Sequence, residues 1–428
     1  MLERLFALEA FGVKLGLDNI SRLCSALGHP ERTFVSIHVA GTNGKGSVTA
    51  MVHAALVAAG VRAARYTSPH LVDLAERFVL GSEPVNPEAL RRVAGDVLDC
   101  ADRLRATGEL TVHPTFFEAT TAMAFELFRR ADIEVAVIEV GLGGRFDSTN
   151  VIAPPIGAIT SIGFDHQQFL GETIEAIAFE KAGIIKPDME IVMGALPDQA
   201  RHVVAAAAAE RGARLVEASN GVRVSGAEGS ERLLIETPDD RYGPLSLALP
   251  GEHQVGNALV AIRVLETARR LGIRVPRTAI EEGLTGVQWP GRLELIRLEG
   301  GGLLLLDAAH NIDGARALAA HLRLQHPERP TLVIGVMRDK DVDGIIRALL
   351  PVVSSVVATA APTSRALPAV DLATRIKAIG SGLEVHTEPD PSAAVEWALS
   401  NGSTVCVAGS IFVVGAVRDR FRRRAILR

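Results

Sequence analysis

His38–Ser47 reads HVAGTNGKGS, and its reading decides the architecture of the first half of the chain. The apolar run Phe34–Val39 before it predicts a strand, and a helix is predicted from about Ser47 until Gly60 ends it. A glycine-rich loop between a strand and a helix is the setting a phosphate-binding loop requires. Gly41, Gly44 and Gly46 would let backbone N–H groups approach phosphate oxygens, and a helix N-terminus adds favourable partial charge. Lys45 is placed to neutralise β- and γ-phosphates, and the Ser47 hydroxyl to help hold Mg2+ or phosphate. The usual form, G-x-x-x-x-G-K-[ST], is longer, and here Gly46 separates Lys45 from Ser47. The alternative is a glycine turn with an exposed lysine. Three glycines, a lysine and a serine at one strand–helix junction favour the phosphate site.

Working outward, Val61–Tyr66, Val135–Val140 and Ile156–Ile162 are further strand candidates. Helices are expected from Asn86-Pro87 to about Gly108, over Phe116–Arg130 and over Thr173–Gly183, with Ala205–Ala209 ordinary helix. Near-continuous apolar strands separated by helices imply a parallel sheet covered on both faces. Between about Gly221 and Leu249 the short runs VRVSG, RLLIET and LSLALP predict a small antiparallel excursion, and helical periodicity returns at Gln254–Leu271. The stretch GVQWPG (286–291) breaks any element. Beyond it, strands at Leu303–Leu306, Thr331–Val336, Val356–Thr359 and Thr404–Ala408 alternate with helices at Asp313–Leu324, Gly344–Leu350 and Ser392–Leu399. The fold class is therefore α/β in two domains. Residues 1–287 form a parallel sheet like that of P-loop ATPases, with the antiparallel excursion, and 288–428 a smaller Rossmann-like α/β domain.

The 428 residues are 48% hydrophobic, enough to fill a core in each domain, and the net charge of −5 gives no sign of a nucleic-acid partner. The basic cluster Arg418–Arg428 is read as a solvated last helix, or otherwise as a contact for an acidic partner. Three widely spaced cysteines, Cys24, Cys100 and Cys406, argue against a disulfide framework or zinc site. Neither a cleavable signal pattern nor a long apolar run is present, so a soluble, cytoplasmic protein away from membranes is expected. No exposed apolar stripe is identifiable, so a monomer is expected.

In open α/β sheets ligands gather at the carboxyl ends of the strands. Glu139, at that end of VAVIEV, is either a Mg2+ ligand or one half of a buried salt bridge, since a carboxylate in an apolar strand is otherwise costly. Asp165 and His166 end a strand at the same edge, as do Ser68 and His70 in TSPH, and Glu118 opens a helix in HPTFFEATT; taken alone, TSPH and HPTFFEATT read as core or cap rather than site. Lys181 follows an apolar helix face and precedes AGII, so it is expected to be part buried, and a buried ammonium gives up its proton readily. A neutral lysine can capture CO2 as a carbamate that acts at a metal site. In the second domain Asp307 ends an all-leucine strand, with His310 and Asn311 following. Arg292, at the junction, either reaches a nucleotide or ties the domains together.

Taken together, HVAGTNGKGS, TSPHL, EVGLGGRFDSTN, DHQQFLGETIEAIAFEKAGIIKP, HQVGN, PGRLE and DAAHN resemble the folylpolyglutamate synthase/dihydrofolate synthase family, within the Mur ligase superfamily of ATP-dependent amide-forming ligases. The match runs from LGLDNI near the start to GSIFVVGAVR near the end, and G-T-N-G-K-G-[ST] is that superfamily's shortened phosphate loop. The resemblance implies that Thr42, Asn43, Gly44, Lys45, Gly46 and Ser47 bind ATP and that Ser68, Glu139 and His166 hold Mg2+, with two ions expected. It implies carbamylation of Lys181. Asn257, Arg292 and Asp307 would contact ATP across a domain cleft, and His310 and Ser410 would face the incoming L-glutamate. Leu15, Gly16, Leu17, Thr115, Phe117 and Asp165 would form the pterin side, the feature expected of members able to use dihydropteroate. Ala308 stands where glycine is common, and DHQQ replaces the more usual D-H-T; neither removes a catalytic group.

The expected activity is ATP-dependent addition of L-glutamate to dihydropteroate and to the glutamate tail of folates through an acyl phosphate. The alternative is tail extension alone. A Mur ligase acting on a cell-wall nucleotide would need an additional N-terminal domain before the phosphate loop. A nucleotide-switched binding protein would need neither a histidine in the second domain nor a carbamate lysine.

Overall fold

The computed structural model describes residues 2–12, 14–226, 232–380 and 382–426. The chain divides into two compact units. The first comprises residues 1–163, 167–248 and 255–288; the second comprises 164–166, 249–254 and 289–428. Two short segments from the sequence before Trp289 thus pack with the second unit.

The first unit is built on an eight-stranded sheet. Val35–Ala40 lies inside it, flanked in parallel by Val135–Glu139 and Ile156–Ile159. These strands are buried along nearly their whole length, which is why they read as continuous apolar runs rather than alternating ones. Ala63–Tyr66 continues the sheet in parallel beyond Val135–Glu139, and the antiparallel pieces Phe78–Leu80 and Glu83–Pro84 close that edge. Glu190–Met193 and Arg214–Glu217 extend the other side. Val39 pairs with Glu139 and Ala40 with Ile159, so the chain leaves three neighbouring strands at one level. The path turns one way from Val35–Ala40 towards Ala63–Tyr66 and later crosses to Ile156–Ile159. This reversal opens the crevice in which doubly wound sheets bind ligands.

Helices follow local signals. Pro87–Ala106 begins with the Asn86 side chain accepting the Ala89 N–H at 2.8 Å and proline in its first turn. Phe116–Arg130 spans the expected range and opens with a reciprocal capping box between Thr115 and Glu118. The antiparallel excursion consists of Arg223–Ser225, Leu233–Glu236 and Arg241–Leu245. Its third strand corrects the expectation for LSLALP: pairing uses RYGPL and stops at Leu245. Residues 227–231 of the excursion lie outside the described residues. The helix Glu252–Arg270 includes buried Glu266, which accepts bonds from Tyr242 and Thr237 and thereby ties the excursion to that helix.

The second unit has a six-stranded sheet in the order Glu294–Arg297, Leu303–Leu306, Thr404–Ala408, Thr331–Ile334, Ser355–Ala358 and Glu384–Thr387. Only the Glu294–Arg297 edge is antiparallel. Cys406 is fully buried in Thr404–Ala408, as its apolar context predicts. The basic residues after Arg418 fall on and beyond the last helix, Ile411–Arg422, where Arg418 bonds Glu294 at 2.8 Å and Arg424 bonds Glu396 at 2.6 Å. Residues 427 and 428 lie outside the described residues.

Candidate functional site

The loop after Val35–Ala40 is shaped by its backbone. Gly44 sits at φ +82°, a conformation that side chains disfavour, and a Cβ there would run into Asn257 Oδ1. The helix then starts at Lys45, earlier than expected, with Gly46 and Ser47 buried in its first turn. The chain leaving Ile156–Ile159 braces the loop from the side. Thr160 Oγ1 and Ser161 Oγ donate to the Asn43 carbonyl at 2.6 and 2.9 Å, and Asn43 N–H donates to Ser161 Oγ at 2.9 Å. Thr42 exchanges bonds with the Gly163 main chain.

Two lysines meet on this loop. Lys45 Nζ donates to Gly41 O at 3.0 Å and Thr42 O at 3.1 Å, while Lys181 Nζ donates to the same Gly41 O at 2.9 Å. Lys181 is 4% exposed, more buried than its sequence context suggests. It sits in the last turn of Ile174–Ala182, whose N-terminus is capped by Thr173.

Glu139 is buried at the end of its strand and accepts the Ser68 N–H at 3.1 Å, so Ser68 and Glu139 come together. A hydroxyl and a carboxylate supply the oxygen donors a hard cation such as Mg2+ takes, so this pair fits that ion. Among the described residues no group of three or more His, Cys, Asp or Glu side chains is gathered as a metal cage. His70 turns away to accept from Arg77 Nε at 2.9 Å, and burial lowers its pKa to about 4. Phe117 packs flat over Gly141, in the loop after Glu139, and stacks with Tyr66 at 6.1 Å between ring centroids. Thr115 caps the helix bearing Phe117. Leu15 is exposed, and Leu17 directly precedes the helix Asp18–Ala26.

In the second unit Asp165 is the hub. Its carboxylate is paired with the Lys340 ammonium, accepts from Asn311 Nδ2 at 3.2 Å and faces His310 Nε2 at 3.5 Å. Burial opposes ionisation of Asp165, but the His310 hydrogen bond and the Lys340 charge outweigh it and hold the carboxyl well below the usual carboxylate range. His166 lies beside Lys340 Nζ at 3.4 Å. The structure therefore groups Asp165 and His166 with second-unit side chains. His310 Nδ1 is bonded to Ala308 O at 2.9 Å. Asp307 accepts the N–H groups of Leu293 and Ala309, both at 2.9 Å; burial raises its pKa against the opposing charge of Arg292. Burial lowers the pKa of the neighbouring His253, against the Asp307 charge. Ser410 is the N-cap of Ile411–Arg422, accepting the Phe412 N–H at 3.1 Å.

Lys340, Thr160 and Ser161 escape the sequence reading. A signal for Lys340 exists: the stretch MRDKD follows Thr331–Ile334 at the carboxyl end of a parallel strand, where the sheet-edge argument applies equally.

Family models match the chain as the Mur ligase middle domain over residues 88–265 and the Mur ligase glutamate ligase domain over 291–411. A dihydrofolate synthase/folylpolyglutamate synthase of Mycobacterium tuberculosis is 36% identical, over 95% of this chain and 90% of that protein. The chain belongs to the folylpolyglutamate synthase/dihydrofolate synthase family of the Mur ligases. As a member of this folylpolyglutamate synthase/dihydrofolate synthase family it is an ATP-dependent ligase. The M. tuberculosis folylpolyglutamate synthase complexed with ADP superposes with a TM-score of 0.91 at 34% identity, covering 99% of both chains. A bifunctional folylpolyglutamate synthase/dihydrofolate synthase with Mn, AMPPNP and L-glutamate bound superposes at 0.83 and 27% identity, covering 97% of this chain and 96% of that one.

Proposed function

We propose that this ligase adds L-glutamate both to dihydropteroate and to the glutamate tail of folates, releasing ADP and phosphate. The observation that carries the chemistry is the convergence of Lys45 and Lys181 on the Gly41 carbonyl, inside a glycine loop at a helix start. The acid and amine substrates are supported by the names and bound ligands of the relatives.

A carboxylate does not condense with an amine unaided. In the proposed sequence a carboxylate oxygen of the acid substrate bonds to the γ-phosphorus of ATP. The bond from that phosphorus to the bridging oxygen breaks, and ADP departs. The glutamate amine then attacks the acyl carbon, phosphate leaves, and the nitrogen releases its proton. Lys45 follows the charge on the transferring group, and the N–H groups of the loop cradle the phosphates. Ser68, Glu139 and His166 are the proposed Mg2+ ligands, and two bound ions would withdraw charge from the phosphoryl oxygens. Lys181 is proposed to carry a carbamate: its neutral amine bonds to CO2 and one proton is released. Asn257, Arg292 and Asp307 are proposed nucleotide contacts, and His310 and Ser410 glutamate contacts. Leu15, Gly16, Leu17, Thr115, Phe117 and Asp165 are proposed for the pterin. The protein is read as a cytoplasmic monomer.

The test is phosphate release from ATP with L-glutamate and either dihydropteroate, tetrahydrofolate or neither acid. Release with both acids is expected. Release with tetrahydrofolate alone would leave a tail-extending enzyme and remove the pterin-site assignment; release with neither would overturn the substrate reading.

A further inference from the structure

The end of the helix that carries Lys181 packs against a loop from another part of the first unit. Glu139 is followed directly by Val140–Asn150, and this segment lies main chain to main chain against residues 180–183. Arg145 N–H donates to Glu180 O at 2.8 Å. A Cβ on Gly144 would come within 2.8 Å of Glu180 O and 2.9 Å of Lys181 O, and one on Gly183 within 2.5 Å of Arg145 Cα. Only glycines allow so close an approach. The segment is closed on itself by Asp147, whose carboxylate accepts from Leu142 N–H at 2.8 Å and Thr149 N–H at 3.0 Å.

One side chain spans both sides of this contact. Asn150 is buried, and its amide nitrogen donates to Arg145 O at 3.0 Å and to Gly183 O at 3.2 Å. Both amide hydrogens are thus used, one on the loop and one on the turn that ends the Lys181 helix. The two carbonyls also fix which end of the amide faces them, because the amide oxygen would repel both.

We propose that Asn150 is a positioning residue for Lys181: it clamps the end of the Lys181 helix to the loop that begins at Glu139, holding the amine at the phosphate loop. The proposal rests on the assignment of Lys181 to the ligase reaction. Asn150 touches no reacting atom in this account. Its effect arises because small displacements of a reacting group carry large rate penalties.

The experiment is a double-mutant cycle in kcat, read by single-turnover phosphate formation with Asn150→Ala, Lys181→Ala and the double variant, and with urea unfolding to verify that each is folded. Asn150→Ala should lower kcat by about 10- to 100-fold in the wild-type background and by less than about twofold in the Lys181→Ala background. An unchanged kcat for Asn150→Ala, or losses that multiply in the double variant, would overturn the proposal. Full activity in Lys181→Ala would instead remove the assignment beneath it, and any loss from Asn150→Ala would then be independent of Lys181. Should Asn150→Ala not fold, Asn150→Ser, which retains one donor, replaces it under the same criteria.

Discussion

The Gly41–Ser47 loop and the Asp165 cluster both bind lysine side chains, and they are built in opposite ways. The loop is one continuous stretch whose shape comes from the main chain: Gly44 at positive φ, carbonyls turned towards Lys45 and Lys181, and bracing by Thr160 and Ser161. The cluster is assembled from Asp165, His310, Asn311 and Lys340, drawn from three separated parts of the chain, and its cohesion lies in side-chain charge. A site made of backbone is sensitive to conformation. A site made of buried charges is sensitive to the loss of any one partner.

That contrast is broken most severely at Lys340. Lys340→Met leaves the Asp165 carboxylate buried without its ammonium, and removing one partner of a buried pair costs about 3–5 kcal/mol. Urea unfolding should show a loss of that order. Asp165→Asn in addition should restore part of it, because the second charge is then gone; an equal or greater loss in the double variant would mean that the pair is not what holds the cluster. Gly44→Ala is the corresponding change in the loop. It forces a side chain into the left-handed region and against Asn257, and should cost about 1–3 kcal/mol with weakened nucleotide binding. Calorimetric titration with ADP checks this, and unaltered affinity would show that the loop conformation is not needed for the phosphates.

The smallest expected effect is a pH dependence in the strand that feeds the loop. His38 is fully buried, bonded to Thr149 Oγ1 at 2.8 Å, and burial lowers its pKa to about 3. An unfolded histidine titrates near ~6.5, so between about 6.5 and 3 the unfolded chain takes up a proton that the native chain refuses. Stability is full above that window and falls as pH falls through it. His38→Asn should reduce this slope by up to about 1.4 kcal/mol per pH unit, measured by urea unfolding between pH 4.5 and 6.5. An unchanged slope would mean that His38 is protonated in the folded protein.

The same contrast explains what the sequence disclosed. The loop was legible because its signals are adjacent: apolar run, glycines, lysine and serine in one stretch. The Phe116–Arg130 helix was legible to the residue because Thr115 and Glu118 cap it locally. The linkage of Asp165 to the second unit was not, because it depends on which distant strands lie side by side; Lys340 carried only the local signal of its place after Thr331–Ile334. The third strand of the antiparallel excursion was misplaced for a related reason: LSLALP carries strand-like residues, but pairing partners select RYGPL. The family resemblance supplied roles for residues whose isolated signals were weak, Ser410 among them. The helix cap at Ser410 shows how such a residue can also serve the fold.

In the proposed reaction a carboxylate is activated by phosphoryl transfer before the amine attacks. The most direct test supplies dihydropteroate labelled with 18O in its carboxylate, with ATP, Mg2+ and L-glutamate, and weighs the phosphate released. The proposed reaction puts one 18O atom in each phosphate formed in ligation, because the oxygen that attacked phosphorus leaves with it. Ligation accompanied by unlabelled phosphate would contradict it.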